Sequence, residues 1–223
     1  MTPSTPDAAA LARMRREYSI DTDAGLAEAD LAPDWLTQFG RWFADVVAAG
    51  LPEPNAMVLA TADTASRPSA RHVLLKGYDE RGFTFFTNYG SRKAVEALAN
   101  PYASLVFPWF AIYRQVVVCG RVERADRSET EAYFAQRPRG AQIGAWASPQ
   151  SQVIPDRSAL VEAFAEVERQ FPDGTPIPPP PHWGGLRVVP DTVEFWHGRI
   201  SRLHDRLRYR RTSEGWTIER LAP

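Results

Sequence analysis

The segment Asn88-Tyr89-Gly90-Ser91-Arg92-Lys93 brings a glycine-loosened backbone to a serine and two cations, followed by helix formers as far as residue 99. Ser91 occupies the position of an N-cap. A helix starting there aims free backbone N–H groups, a positive dipole end and the side chains of Arg92 and Lys93 at one spot, and that spot suits a phosphate. A serine-capped surface helix with two solvated cations fits the same residues equally well.

Other stretches have chemical potential of the same kind. A helix expected over residues 128–137, capped by Ser128, puts Tyr133 and Arg137 four apart on one face, either as a second anion site or as a surface pair. A strand expected over 203–211 alternates so that Arg202, His204, Arg206, Arg208 and Arg210 share a face. Without a carboxylate interleaved on that face the charges repel, so an anion-facing surface is preferred to a merely solvated one. Gln115 opens another expected strand, where a surface-facing amide is the plain reading unless the amide is used. Residues 139–152, RGAQIGAWASPQSQ, read as an ordered functional loop.

These side chains must be held by a mainly β framework with flanking helices. Residues 1–6 are expected to be disordered, and 7–18 to form a solvated helix ending in Arg13, Arg15 and Arg16. A second helix opens at Pro33-Asp34, and its Trp35, Leu36, Phe39, Trp42, Phe43, Val46 and Val47 recur at core-facing spacing. After the rigid break at 51–54, a buried strand spans 56–62. Apolar runs at 72–76 and 83–87 flank Asp79-Glu80-Arg81-Gly82 and are expected to pair as an antiparallel hairpin, with Gly82 at positive φ. Strands at 103–107 and 113–123, a helix at 158–171, an extended proline-rich spacer at 172–181 and strands at 186–189, 192–196, 203–211 and 216–221 complete an antiparallel sheet.

Composition narrows the function. The chain has 223 residues, enough for one medium domain with a real core. Its 26 Lys+Arg against 27 Asp+Glu, a net charge of -1, argue against a nucleic-acid or acidic-membrane binder driven by a global basic field. Cys119 is the single cysteine, so intrachain disulfides and CxxC motifs are excluded. No signal-like leader or apolar run of about 20 residues occurs, and a cytoplasmic location is expected. The histidines, His72, His182, His197 and His204, have no metal-ligand spacing, and no GxSxG, P-loop or GxGxxG motif is present. A β-rich domain with sites for small phosphorylated ligands remains.

RHVLLK, FFTNYGSRKA, RQVVV, YFAQRPRGAQIGAWASPQS, FWHGRISRLHDR and the terminal ERLAP resemble, in order and spacing, the pyridoxamine/pyridoxine 5′-phosphate oxidase family, from about Arg15 to Pro223. The resemblance implies a homodimeric, antiparallel FMN-binding split β-barrel. It implies a lid within 1–20 and a single domain over 21–223 with a C-terminal dimerisation region. The implied activity is oxidation of pyridoxamine or pyridoxine phosphate to pyridoxal phosphate, with O2 as acceptor and hydrogen peroxide as by-product. FMN contacts are implied for Arg71, Val73, Leu74, Lys76, Phe86, Thr87, Arg92, Lys93, Gln115, Gln150, Ser151, Trp196 and Arg206. Substrate contacts are implied for Lys76, Tyr133, Arg137, Ala141, Arg202 and His204, with Arg15, Arg16, Glu17 and Tyr18 as the lid. Arg202 and His204 are the implied catalytic pair, and Glu53 falls where the family has an acid near the reacting carbon.

Phe86 stands where the family often has tyrosine, Ala141 where it usually has serine, and His197 where glutamine is common. Ala141 leaves more of the phosphate contact to Tyr133 and Arg137. Arg71 and Lys76, five apart, would face opposite ways on a regular strand, which calls for a bulge or a site shared with a partner chain. A related flavin oxidase of phenazine biosynthesis shares the RLHxRLRY-type ending, while Lys76 and the QIGAWASPQS stretch favour the vitamer oxidase. A non-catalytic flavin- or pyridoxal-phosphate-binding protein is the remaining alternative, opposed by the presence of both Arg202 and His204.

Overall fold

The computed structural model describes residues 7–14, 18 and 25–223. A short helix, α1 (Ala8–Arg13), is capped by the Asp7 carboxylate, and α2 (Trp35–Ala48) by that of Asp34, which accepts from the Thr37 N–H at 2.8 Å. The expected stripe of α2 faces the sheet except at Val47, which lies at the edge of the stripe near the helix end and is exposed. Trp35 lies 5.1 Å from Phe83, Phe39 5.0 Å from Phe107 and Trp42 5.1 Å from Phe195, ring centre to ring centre. These rings form the middle of the main core.

The strands are β1 (Ala56–Ala62), β2 (Pro68–Leu74), β3 (Gly77–Asp79), β4 (Gly82–Asn88), β5 (Tyr102–Trp109), β6 (Arg114–Arg124), β7 (Trp183–His197), β8 (Asp205–Thr212) and β9 (Gly215–Arg220). Every pairing is antiparallel, in the order β2-β1-β5-β6-β7-β4-β3. The sheet divides along β7, whose first half pairs with β4 and whose second half pairs with β8, while β6 runs the length of its other edge. Residues 186–196, expected as two strands, are part of one, because a bulge absorbs Asp191 between Pro190, the partner of Gly120, and Thr192, the partner of Cys119. Gly120 permits that approach, since a Cβ there would lie 2.0 Å from the Val189 carbonyl oxygen.

The expected hairpin is corrected in its partner. Residues 72–74 end β2, which pairs along its whole length with β1, and the hairpin on β4 is made by β3. Two-residue periodicity locates strands without naming their neighbours, and the β1–β2 pairing proved the more extensive. Gly82 takes the expected positive φ, 138°, with Val188 too close behind it for a side chain. The break between β2 and β3 also resolves the opposed directions of Arg71 and Lys76, because Lys76 lies past the end of the strand.

Helices α3 (Arg92–Ala99), α4 (Arg127–Ala135), α5 (Arg139–Ala147) and α6 (Arg157–Gln170) flank the sheet. Asp126, not Ser128, precedes α4 as its N-cap residue. The stretch expected as a loop over 139–152 is mostly the helix α5, entered through Pro138 and fixed by buried Ile143, Ala145 and Ala147. Only residues 148–152 are irregular. A small second core gathers Phe134, Ile143, Val167, Ile177 and Trp183 beneath these helices. The spacer at 172–181 is tied down by Arg139, whose guanidinium donates to the Phe171, Pro172 and Thr175 carbonyls, and by Arg127, which donates to those of Pro179, Pro180 and Trp183. Among the described residues no helix is long and apolar enough to cross a membrane.

Candidate active site

A cavity of about 640 Å³ opens where the end of β2, β4, the start of α3, the end of α4 and α5 converge. That is an ordinary size for a small-molecule site. Its wall includes Val73, Leu74, Lys76, Phe86, Thr87, Lys93, Tyr133, Arg137, Ala141 and Gln150, so ten of the residues expected from sequence meet in one place. Lys76, Lys93 and Arg137 are its strongly basic members, and among the described residues no carboxylate lines it.

Each cation is held by a different device. Lys93, almost fully buried in the first turn of α3, lies 3.4 Å from Thr87 Oγ1. Burial first, and the Arg71 charge second, push its ammonium below the ordinary value. Arg137 stacks its guanidinium 4.5 Å from the Trp183 ring centre. Burial likewise pulls its pKa down, and its Nη1 is buried without a hydrogen-bond partner among the described residues. A buried donor with no acceptor is costly, and here it belongs to a residue that lines a cationic cavity. Lys76 Nζ lies 5.8 Å from the Tyr133 ring centre. Phe86, Tyr133 and Trp183 form a stack, with Phe86 and Tyr133 4.2 Å apart and 16° from parallel. Gln150 reaches in from the irregular stretch, its Oε1 3.1 Å from Thr87 Oγ1.

Ser91 stands at the expected cap, but its side chain makes no cap hydrogen bond. Its buried hydroxyl instead lies 3.2 Å from Thr87 Oγ1, which leaves the amide end of α3 uncapped by a side chain. Arg92 lies outside the cavity lining. Its side chain is 62% exposed and bonds Glu96 at 2.7 Å, so of the two cations Lys93 is the one that lines the cavity itself. Arg71 is outside the lining but on the β2 face shared with Val73 and within electrostatic reach of Lys93, bonded to Thr61 and Ser69 and 3.5 Å from Glu96.

A second group of expected residues lies outside that lining. Gln115, Trp196 and Arg206 are direct cross-strand neighbours on β6, β7 and β8, and so share one face of the sheet. His204 packs 4.6 Å from Trp196, and Tyr18 meets Tyr113, Trp196 and His204 edge-on. The His204 Nδ1 accepts the Arg199 backbone N–H at 3.0 Å. Burial and then Arg202 push the imidazole below its ordinary pKa. Ser151 has φ 71° in the exposed turn beside Gln150, and Glu53 has φ 44° in the exposed turn before β1, outside the lining. Arg15, Arg16 and Glu17 lie outside the described residues.

The arginine face is corrected in two respects. Strand β8 begins at Asp205, so Arg202 and His204 belong to a tight turn, with φ 57° at Ser201 and 61° at Arg202, and not to the strand alternation. Arg206 is paired with Glu194 on β7, and Arg208 and Arg210 are both paired with Glu219 on β9. The missing carboxylates come from neighbouring strands, which a single-strand pattern does not display. Sequence reasoning also passed over Gln136 and Trp183 in the cavity wall, Asn88 beside Gln150, and Glu96. For Trp183 the available signal was a tryptophan directly before Gly184-Gly185 at a strand start.

An antiparallel sheet dividing along one long strand, with a carboxylate-free cationic cavity against a helix start and an aromatic stack, defines a split-barrel protein whose cavity suits flat, phosphorylated ligands. The comparisons are specific. The family model described as pyridoxamine 5′-phosphate oxidase matches residues 43–171, and the pyridoxine 5′-phosphate oxidase C-terminal dimerisation region matches residues 183–223. The chain is 66% identical over 220 residues to a pyridoxine/pyridoxamine 5′-phosphate oxidase of Salinispora arenicola, covering 98% of this chain and 99% of that one. It is 57% identical to the Frankia alni protein of the same name, covering 98% and 91%. Among solved structures, PhzG from Burkholderia lata 383, in complex with tetrahydrophenazine-1-carboxylic acid, is similar at a TM-score of 0.84 and 32% identity, covering 91% of this chain and 99% of that one. The chain belongs to the pyridoxamine 5′-phosphate oxidase family.

Proposed function

We propose that this protein is an FMN-dependent oxidase that converts pyridoxine or pyridoxamine 5′-phosphate to pyridoxal 5′-phosphate, consuming O2 and releasing hydrogen peroxide, and with the amine also consuming water and releasing ammonia. The observation that carries the reading is the cationic, carboxylate-free cavity in which the buried Arg137 Nη1 lacks an acceptor. That donor set fits phosphate groups. Lys93, the amide end of α3, Arg71 and Arg92 hold the flavin phosphate. Val73, Leu74, Phe86, Thr87, Gln150 and Ser151 contact the rest of the cofactor. Lys76, Tyr133 and Arg137 hold the phosphate of the vitamer, with Ala141 leaving room beside them.

Bound FMN supplies a two-electron acceptor that O2 reoxidises. The protein supplies position, charge and protection from water. Gln115, Trp196 and Arg206, on their common sheet face, complete the flavin site in a homodimer, with Arg202 and His204 against the vitamer ring. Because a backbone N–H can only donate, the bond from Arg199 makes His204 Nδ1 an acceptor, and a neutral His204 then carries its proton on Nε2. His204 therefore acts from Nε2 as a hydrogen-bond donor to a substrate oxygen. Tyr18, edge-on to His204, belongs to the lid with Arg15, Arg16 and Glu17, and Glu53 is the candidate acid near the reacting carbon.

The likeness to PhzG supports a second reading, a flavin oxidase of phenazine-type substrates, while the curated relatives at 57–66% identity favour the vitamer. The test is to release and identify the flavin from purified protein, then to follow pyridoxal phosphate and peroxide from pyridoxine phosphate. The expected result is FMN and the two products in equal amounts. Protein that holds FMN, leaves both vitamers untouched and oxidises a reduced phenazine carboxylate would overturn the vitamer reading in favour of the second.

A further inference from the structure

A carboxylate beside an anion site works against the site's field, yet Glu96 is 95% buried next to the cations at the start of α3. Its Oε2 accepts from Thr61 Oγ1 at 2.6 Å and Ser69 Oγ at 2.5 Å, and lies 3.5 Å from Arg71 Nη2. Its Oε1 accepts from Arg92 Nε at 2.7 Å. Arg71 is itself fastened to the Leu59 carbonyl, to Thr61 and to Ser69. One side chain from α3 thus ties together β1, β2 and two of the arginines assigned to the flavin phosphate.

Resting on the reading given above, we infer that Glu96 is the positioning residue of the phosphate site. It fixes Arg71 and Arg92 in one arrangement, so that neither long side chain has to be ordered when the phosphate arrives. An unheld arginine loses much rotamer freedom on engaging an anion, and a preset one loses less. The anchoring hydroxyls of Thr61 and Ser69 matter for the same reason, since they keep the carboxylate itself from turning toward Lys93 and the cavity. A purely electrostatic account predicts the opposite sign, because deleting a buried negative charge beside the site should strengthen phosphate binding.

The experiment measures dissociation constants of apoprotein for FMN and for riboflavin, which lacks the phosphate, by quenching of flavin fluorescence. Glu96→Gln keeps the shape of the side chain and removes its charge. It is expected to raise the FMN constant roughly tenfold or more, as for the loss of one well-made charge-assisted hydrogen bond, and to leave the riboflavin constant within about twofold. In an Arg71→Ala background the same change should have little further effect on FMN. Glu96→Asp, which keeps the charge but withdraws it by one methylene, should show the same selective loss to a smaller degree, and serves if the glutamine variant does not fold. Tighter or unchanged FMN binding by the variants overturns the inference, as does equal weakening of both flavins, the mark of a scaffold residue. A parent protein that binds riboflavin as well as FMN overturns the phosphate-site reading itself, a result distinguishable because it appears before any substitution is made.

Discussion

At Arg137 the needs of folding and of binding pull apart. The guanidinium is buried, stacked on Trp183, and left with Nη1 unpartnered among the described residues. A group arranged only for stability would be expected to find an acceptor, since an unmade buried bond is destabilising by about 1–3 kcal/mol. Replacement by methionine keeps the length and the contact with the aromatic ring while removing the unpaired donors. Arg137→Met should therefore melt at or slightly above the parent temperature in phosphate-free buffer. Its kcat/KM for pyridoxine phosphate should fall roughly 10- to 150-fold, the value of one or two charge-assisted bonds. Calorimetry and steady-state kinetics on the same preparation check both halves. A variant that is clearly less stable, with kinetics unchanged, would make Arg137 a structural residue.

Among the elements, α3 shows how one helix joins the sheet to the site. Burial pushes the Glu96 carboxyl up, but hydrogen bonds from Ser69, Thr61 and Arg92 outweigh it and hold the group at about 2, against 4.5 for a free side chain. With the folded pKa depressed, the unfolded chain binds the extra proton, so the contribution of Glu96 is fully present above pH 4.5 and is lost as pH falls toward 2. In urea, the gap between parent and Glu96→Gln midpoints should be widest near neutrality and should shrink steadily through that acid window. A gap that does not change with pH would remove the carboxylate from the attachment of α3. Periodicity made much of this scaffold readable in advance: α2 with its aromatic stripe, β1, and the strands that became β5 and β6 all lie near their expected positions. What escaped was non-local. The partner of β2 lies on β1 and not on the adjacent run, the counter-charges of Arg206, Arg208 and Arg210 come from β7 and β9, and Glu96 meets Thr61 and Ser69 across 35 and 27 residues. Helix α5 was concealed by its glycines, whose unfavourable propensity is overridden by the burial of Ile143, Ala145 and Ala147. The candidate site residues were legible through the order of several motifs, whereas the way Arg92 and Arg71 are held shows only in which side chains Glu96 reaches.

Over the whole molecule, the residues expected at one active site fall into two sets within a single chain. Lys76, Lys93, Tyr133 and Arg137 line the cavity, while Gln115, Trp196, Arg202, His204 and Arg206 are absent from its wall and lie on or beside the sheet face toward the C-terminus. Residues 183–223 match the family's dimerisation region, so a two-fold dimer would bring the second set of one chain to the cavity of the other. The proposal has a sharp consequence for mixed dimers. Arg137→Met and Arg202→Met should each leave a homodimer with little activity, since each spoils both sites. When the two variants are co-expressed with different tags and the heterodimer is isolated, one of its sites carries both substitutions and the other carries neither. The heterodimer should then recover about half the parental activity per dimer. If each site were built within one chain, every site in the heterodimer would contain one substitution and the activity would stay as low as that of the homodimers.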